Sequence, residues 1–275
     1  TSLTQGSNLP NGVIVHFNLK DFDDKKDTLA LYFKEQNGAL IKKYSSTDKE
    51  DKLEIKVGGN TFVWDTRYKG AEILDGMIFW SASFSGAKAV PGNYKVILEK
   101  NGITQEQSFE ILPDPRTEVT LSDMKRQFDF VNLVNASADK AHKAINNIRI
   151  LRKKLKDFEM IYKESKNMNA LLIKAEKLNH SLYEIEKALY QTKNKSNQDP
   201  LNFPIRLTNK LGHLNQLVTS NDFPPTDQDE IVRKLLTKKI DANLDEYKKL
   251  IKEDLKLFNE DFSKLKLDYL TINEN

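Results

Sequence analysis

Cysteine is absent from all 275 residues, which excludes disulfide staples, thiol catalysis and cysteine-based metal sites. Apolar runs are short, and none approaches the ~20 residues of a membrane-crossing helix. No stretch near Thr1 has the character of a signal peptide, and a start at threonine fits a processed or excised piece of a longer chain. Charge of one sign is also lacking. Lys and Arg number 43 and Asp and Glu 40, a formal net charge of +3. The two signs alternate along the chain, so no basic field for nucleic acid forms. Catalytic signatures are missing as well. There is no Gly-x-Gly-x-x-Gly, no Walker-type loop, no Gly-x-Ser-x-Gly and no His-Glu-x-x-His. The histidines His16, His142, His180 and His213 have no partner at i+4, and read as solvated or core-rim side chains rather than a metal set. Acids such as Glu184 and Glu186 stand beside lysines and read as solvated helix face. Arg149, Arg152, Lys153, Lys154 and Lys156 are followed at once by Asp157 and Glu159. No aromatic rings interleave with them, as a nucleic-acid surface would require.

What is present divides by periodicity. Residues 1–112 alternate apolar and polar at period two. Val13, Val15, Phe17 and Leu19 share one face, as do Leu29, Leu31 and Phe33. Leu53, Ile55 and Val57 then precede Gly58-Gly59-Asn60, and Phe62 and Trp64 follow. Met77–Trp80 is a short apolar run, and Pro91-Gly92-Asn93 turns into Tyr94, Val96 and Leu98. Turns at Gln36-Asn37-Gly38 and Asn101-Gly102 complete about eight short strands, the pattern of an antiparallel β-sandwich. Trp64, Trp80 and Tyr94 read as core and corner packing. Residues 113–119 form a joint, in which Pro113 and Pro115 end the last strand.

From residue 120 to 275 the period lengthens to about 3.5. Thr120-Leu121-Ser122-Asp123 offers N-cap residues. One seam then runs Phe128, Val131, Val134, Ala138, Ala141, Ile145, Ile148, Leu151, Leu155, Phe158, Tyr162, predicting a helix of about forty residues. A second runs Leu171, Ala175, Leu178, Leu182, Ile185, Leu189, and a third Leu207, Leu211, Leu214, Val218. Thr226 or Asp227 can cap the fourth, which runs from Leu236 to Tyr269. Four seams predict an elongated antiparallel four-helix bundle. Between the second and third lies a Pro-rich irregular segment at 194–205. With its own apolar residues, it should pack rather than dangle. Asp199, Asn202, Phe203, Arg206 and Asn209 in and beside it are the candidate binding cluster, or else a set of helix caps around a ring that plugs the bundle end.

Two resemblances add to this reading. Gly59-Asn60-Thr61-Phe62-Val63-Trp64-Asp65 and Val90-Pro91-Gly92-Asn93-Tyr94-Lys95-Val96 resemble the immunoglobulin-like domain of flagellar-hook-cap and other secreted bacterial proteins. Pro113-Asp114-Pro115-Arg116, Gln127-Phe128-Asp129-Phe130 and Gln198-Asp199-Pro200-Leu201-Asn202-Phe203-Pro204-Ile205-Arg206 occur in this order, and resemble the C-terminal region of bacterial BNR/Asp-box β-propeller proteins of the glycosyl hydrolase-like, sortilin/VPS10-like type. That resemblance implies an exported protein of the periplasm, outer-membrane surface or extracellular space. It further implies a propeller in the same parent polypeptide and an envelope protein as a possible partner. It carries over no catalytic residue, cofactor or metal. The expectation is a monomeric, non-catalytic spacer and docking module without membrane insertion. The alternatives are an accessory part of a secreted glycoside hydrolase and a carbohydrate-binding sandwich. Asp27-Thr28-Leu29 further resembles a bacterial O-glycosylation acceptor.

Overall fold

The computed structural model describes Gly6 and residues 8–265. Its six strands form two antiparallel sheets that precede the helices in the chain. Strands β1 (Val13–Leu19) and β4 (Gly58–Trp64) make one sheet. The other has the order β3-β2-β5-β6, built from β2 (Leu29–Glu35), β3 (Leu40–Ser45), β5 (Gly92–Lys100) and β6 (Ile103–Ile111). Alternation puts every second residue on one face, and those faces share one buried cluster. It contains Leu19, Leu29, Leu31, Phe33, Trp64, Tyr94 and Val96. Trp64 is fully buried and stacks on Phe33 with ring centroids 4.5 Å apart. Its Nε1 donates to the Arg67 carbonyl at 3.2 Å. The buried Tyr94 hydroxyl donates to the Val90 carbonyl at 2.5 Å, tying the start of β5 to the chain before it. Asn101 and Gly102 have φ of 52° and 83°, the left-handed pair that a two-residue hairpin between twisted strands demands.

Two expected strands do not form. Leu53 is buried and Ile55 packs against the same cluster, yet residues 53–57 join no ladder. Other partners take up main-chain groups there: Leu53 N–H donates to the Ser45 carbonyl, and the Asn60 side chain accepts from Lys56 N–H and donates to the Lys56 and Gly58 carbonyls. Met77–Trp80 is the second; its main chain is paired with side chains from the helices, as set out below.

The helices are α1 (Leu121–Tyr162), α2 (Asn169–Leu189), α3 (Leu207–Val218) and α4 (Asp227–Leu250). The last continues through a π turn, Ile251–Leu255, into α5 (Lys256–Lys264). Helix α1 has 42 residues and opens at Thr120. The Thr120 hydroxyl accepts from Asp123 N–H at 3.1 Å, and the Asp123 carboxylate accepts from Thr120 N–H at 3.2 Å. Thr226 and Asp229 make the same reciprocal box before α4. Each box satisfies end N–H groups that no helix turn can reach. The buried faces follow the predicted seams: Val134, Ala138, Ala141, Ile145 and Ile148 on α1, Leu178, Leu182 and Ile185 on α2, Leu211 and Leu214 on α3, Leu236, Ile240 and Leu244 on α4. Tyr269 lies outside the described residues. Phe158 and Tyr162, near the end of α1, meet Phe258 and Phe262 of α5. The first and last helices therefore meet C-terminal end to C-terminal end, not head to tail as a strictly alternating bundle would place them. An even number of chain reversals between them is required for that polarity, and three would give the opposite one.

Secondary structure changes from strand to helix across Pro113 and Pro115, both exposed. Compactness follows other lines. One unit, the β unit, takes the residues up to Gly70 with Ser85–Asn132 and Asn221–Pro224. The other, the helical unit, takes Ala71–Phe84, Leu133–Ser220 and the residues from Pro225.

Candidate functional site

The segment Ala71–Phe84 stands between β4 and β5 in sequence but belongs to the helical unit. It is neither helix nor strand. Its ends are pinned by Ala71 N–H donating to the Phe84 carbonyl at 3.0 Å. A turn from Leu74 to Met77, with Gly76 at φ 76°, makes its tip. Without a ladder, its main-chain groups need other partners, and side chains supply them. Asn209 of α3 serves Trp80 twice: Oδ1 accepts from Trp80 N–H and Nδ2 donates to the Trp80 carbonyl, both at 2.8 Å. The Tyr190 hydroxyl accepts from Ile78 N–H at 2.8 Å, and Asn194 donates to the Ile78 carbonyl. His213 Nδ1 donates to the Ser81 carbonyl at 2.8 Å and Asn215 Nδ2 to the Ser83 carbonyl at 3.0 Å. Ser83 N–H donates to the Gly212 carbonyl at 3.0 Å. On α1, Asp139 accepts from Glu72 N–H at 2.7 Å and His142 Nδ1 donates to the Glu72 carbonyl at 2.6 Å. Side chains thus do here what a neighbouring strand does in a sheet.

Two rings of the segment fill the adjoining space. Phe84 is buried, packing edge-on to His142 at 5.1 Å and to Phe79 at 4.9 Å. Phe79 in turn meets Tyr190 at 5.7 Å. Gly212 is fitted to this packing. A Cβ there would come within 2.6 Å of Phe84 Cζ and 3.0 Å of the Ala82 Cβ. His142 is 1 % exposed and its Nε2 finds no hydrogen-bond partner. Burial pushes its pKa below the ordinary imidazole value, with the Glu72 carbonyl and the Asp139 carboxylate opposing.

Beside this lies a buried ion cluster. Glu186 of α2 is 3 % exposed. It accepts from Arg149 Nε and from an Arg152 guanidinium NH group, each at 2.7 Å. Arg152 also donates to Asn179 at 3.0 Å and lies over the Tyr183 ring, while Arg149 lies over Tyr190. The reading of Glu186 as solvated is therefore corrected. It sits next to Ile185 and Leu182 on the buried side of α2, and two arginines one helical turn apart reach it. Glu184 is the surface acid, paired with Lys187.

The five candidate residues separate. Asn209 is buried and holds the segment. Asp199 caps its own turn, accepting from Lys195 N–H at 2.6 Å and Ser196 N–H at 2.9 Å. Those bonds hold its carboxyl below the usual range. Asn202 is exposed; its N–H donates to the Asp199 carbonyl. Phe203 is half-buried under the Lys193 ammonium at 5.4 Å. Arg206 precedes α3 without a side-chain cap bond, and its Nε finds no partner. Of the residues singled out as structural, Trp64 and Tyr94 are core, and Asp65 accepts from Arg67 N–H at 3.1 Å. Trp80 is corrected: it is 40 % exposed, because its main chain rather than its ring is held. Pro113 and Pro115 line a cleft of about 430 Å³ in the β unit, with Met124, Gln127 and the Lys88–Asp222 pair. Asp114 there is lowered to a pKa of about 2 by Arg116.

The sequence pattern does not mark Tyr190, Asn194, Asn215 or Asp139, and it presents His142 and His213 only as solvated or core-rim side chains. One signal pointed to part of the set. Asn209, Gly212 and Asn215 repeat every three residues along α3, beside Leu211, Leu214 and Val218. Polar side chains on an apolar stripe need a buried partner. Among the described residues no group of three or more His, Cys, Asp or Glu is placed to hold a metal ion, and no helix is long and apolar enough to cross a membrane. Comparison of the chain with protein-family models, with curated proteins and with solved structures returns no match.

Proposed function

We propose that this chain is a non-catalytic structural and interaction module of an exported bacterial protein. An immunoglobulin-like sandwich and a four-helix bundle follow a β-propeller in the parent polypeptide, as the sequence resemblance implies. The module spaces that propeller and docks it, or an envelope protein, as a monomer without membrane insertion. One observation carries this reading. The buried polar side chains around residues 71–84, Asn209, His142 and Tyr190 among them, are spent on holding polypeptide main chain. Glu186, the buried carboxylate beside them, is committed to two arginines. Such groups position chain rather than transform a substrate.

A carbohydrate-binding module is the second reading, favoured by Trp80, a residue 40 % exposed. Two measurements test the pair. Cross-linking mass spectrometry on the parent polypeptide in its own host should join lysines 193, 195 and 210 to a propeller or an envelope protein. Titration with a soluble glycan panel should leave Trp80 emission unchanged. Saturable quenching by a glycan, with cross-links confined to this chain, would overturn the leading reading and establish the second.

A further inference from the structure

The helical unit binds residues 71–84 in the manner of a receptor binding a peptide. Recognition is of two kinds. Amide, imidazole and phenol groups of Asn209, Asn194, Asn215, His213, His142 and Tyr190 pair with main-chain N–H and C=O groups, which any polypeptide offers. Specificity comes from the rings of Phe79 and Phe84, five positions apart, and from the bare Cα of Gly212 facing Phe84 and Ala82. This division, affinity from main-chain pairing and selectivity from side-chain space, is that of strand-addition sites. Here helix side chains replace the sheet edge. The segment is separable in covalent terms. Its ends are joined by the Ala71–Phe84 hydrogen bond, and the chain passes from it to the β unit through Gly70 and Ser85.

We propose that the helical unit is a peptide-binding module and that residues 71–84 are its resident ligand, so that the same site accepts in trans an irregular, turn-containing segment with two aromatic side chains five residues apart and a small residue two positions before the second. The partner of the module is then a protein presenting such a segment, and the resident copy competes with it. The proposal takes its biological setting from the docking role above, but peptide binding itself stands or falls independently of the propeller and of glycans.

The probe is a synthetic peptide of residues 71–84 with a fluorescein at its N-terminus, followed by fluorescein anisotropy. The receptor is the full chain with that segment replaced by a short Gly-Ser link from Gly70 to Ser85. The peptide should bind saturably at one site and raise the melting temperature. Methylation of the Trp80 main-chain nitrogen, which removes the donor to Asn209, should weaken binding about tenfold, the cost of a lost buried pairing. Phe84→Ala in the peptide should weaken it at least as much. The unaltered chain should bind more weakly than the shortened one, because its site is occupied. A folded shortened chain that ignores the peptide overturns the proposal, as does equal binding of a scrambled peptide, or equal affinity for the shortened and unaltered chains. Should the shortened chain fail to fold, the peptide is titrated against the full chain carrying Phe79→Ala and Phe84→Ala. Absence of saturable binding there overturns it too.

Discussion

Asn209 gives the sharpest handle on how residues 71–84 are held. Its carboxamide makes two hydrogen bonds with Trp80, both at 2.8 Å, and the side chain is 5 % exposed. Asn209→Ala removes both bonds. A net value of about 1 kcal/mol for each sets an upper figure of about 2 kcal/mol. Trp80 is partly open to solvent, so water can reach part of what is vacated. That lowers the expected loss to between about 1 and 2 kcal/mol, or about 5- to 30-fold in the local opening equilibrium. Native-state hydrogen exchange reads it directly. The Trp80 and Ser83 amides should exchange faster by that factor, while Phe33 in the β unit keeps its rate. Iodide quenching of Trp80 should rise in parallel. Asn202→Ala, at an exposed position close by in sequence, is the control and should change neither. Unaltered exchange at Trp80 and Ser83 in Asn209→Ala would show that these bonds do not hold the segment, and the reasoning would fail.

Other outcomes follow from the same contacts. Burial lowers the folded-state pKa of His142, so both states are neutral above pH 6.5, and below it the unfolded chain takes up a proton first. Stability should fall as pH drops from about 6.5 toward the folded pKa and then level off. Urea melts at pH 7.5 and 5.5 should show this slope, and His142→Gln should reduce it. Glu186→Gln leaves Arg149 and Arg152 without their counter-charge. Because the two arginine side chains are 34 % and 20 % exposed, the cost should be about 2 kcal/mol rather than the larger value of a fully buried pair. It is measurable by urea melts followed at 222 nm. Thr226→Ala breaks the box with Asp229 and should cost about 1 kcal/mol in the same assay.

Legibility in the sequence followed the range of the interactions. Thr120 with Asp123 and Thr226 with Asp229 are three residues apart, and the seams from Val134 to Ile148 need only a helical period, so both could be read directly. The hairpin at Asn101-Gly102 carries its own conformational requirement. Met77–Trp80 misled because an apolar run of four looks the same whether a strand or a helix face receives it. The deciding partner, Asn209, is 129 residues away from Trp80. Glu186 misled in a related way: Lys187 is adjacent in sequence, whereas Arg149 and Arg152 lie 37 and 34 residues off. Of the Pro-rich cluster, Asn209 reads from the sequence as a surface contact or helix cap, whereas it is buried and its partner, Trp80, is remote in the chain. Asp199 looked like a contact residue because a residue that caps its own turn has the same composition as one that binds something else.

The π turn at Ile251–Leu255 bears on how this chain tolerates changes in length. Within such a turn the helix carries one residue more than a regular 3.6-residue repeat would use. That surplus leaves Phe258 and Phe262 facing Phe158 and Tyr162. Loss of a single residue between Ile251 and Leu255 would convert the turn to ordinary α-helix and leave both flanks in phase. The same loss between Leu236 and Leu244 would swing every later side chain by about 100° around the axis. The fourth helix therefore holds one position at which its reading frame of faces can absorb a deletion, and that position precedes the aromatic contact it serves.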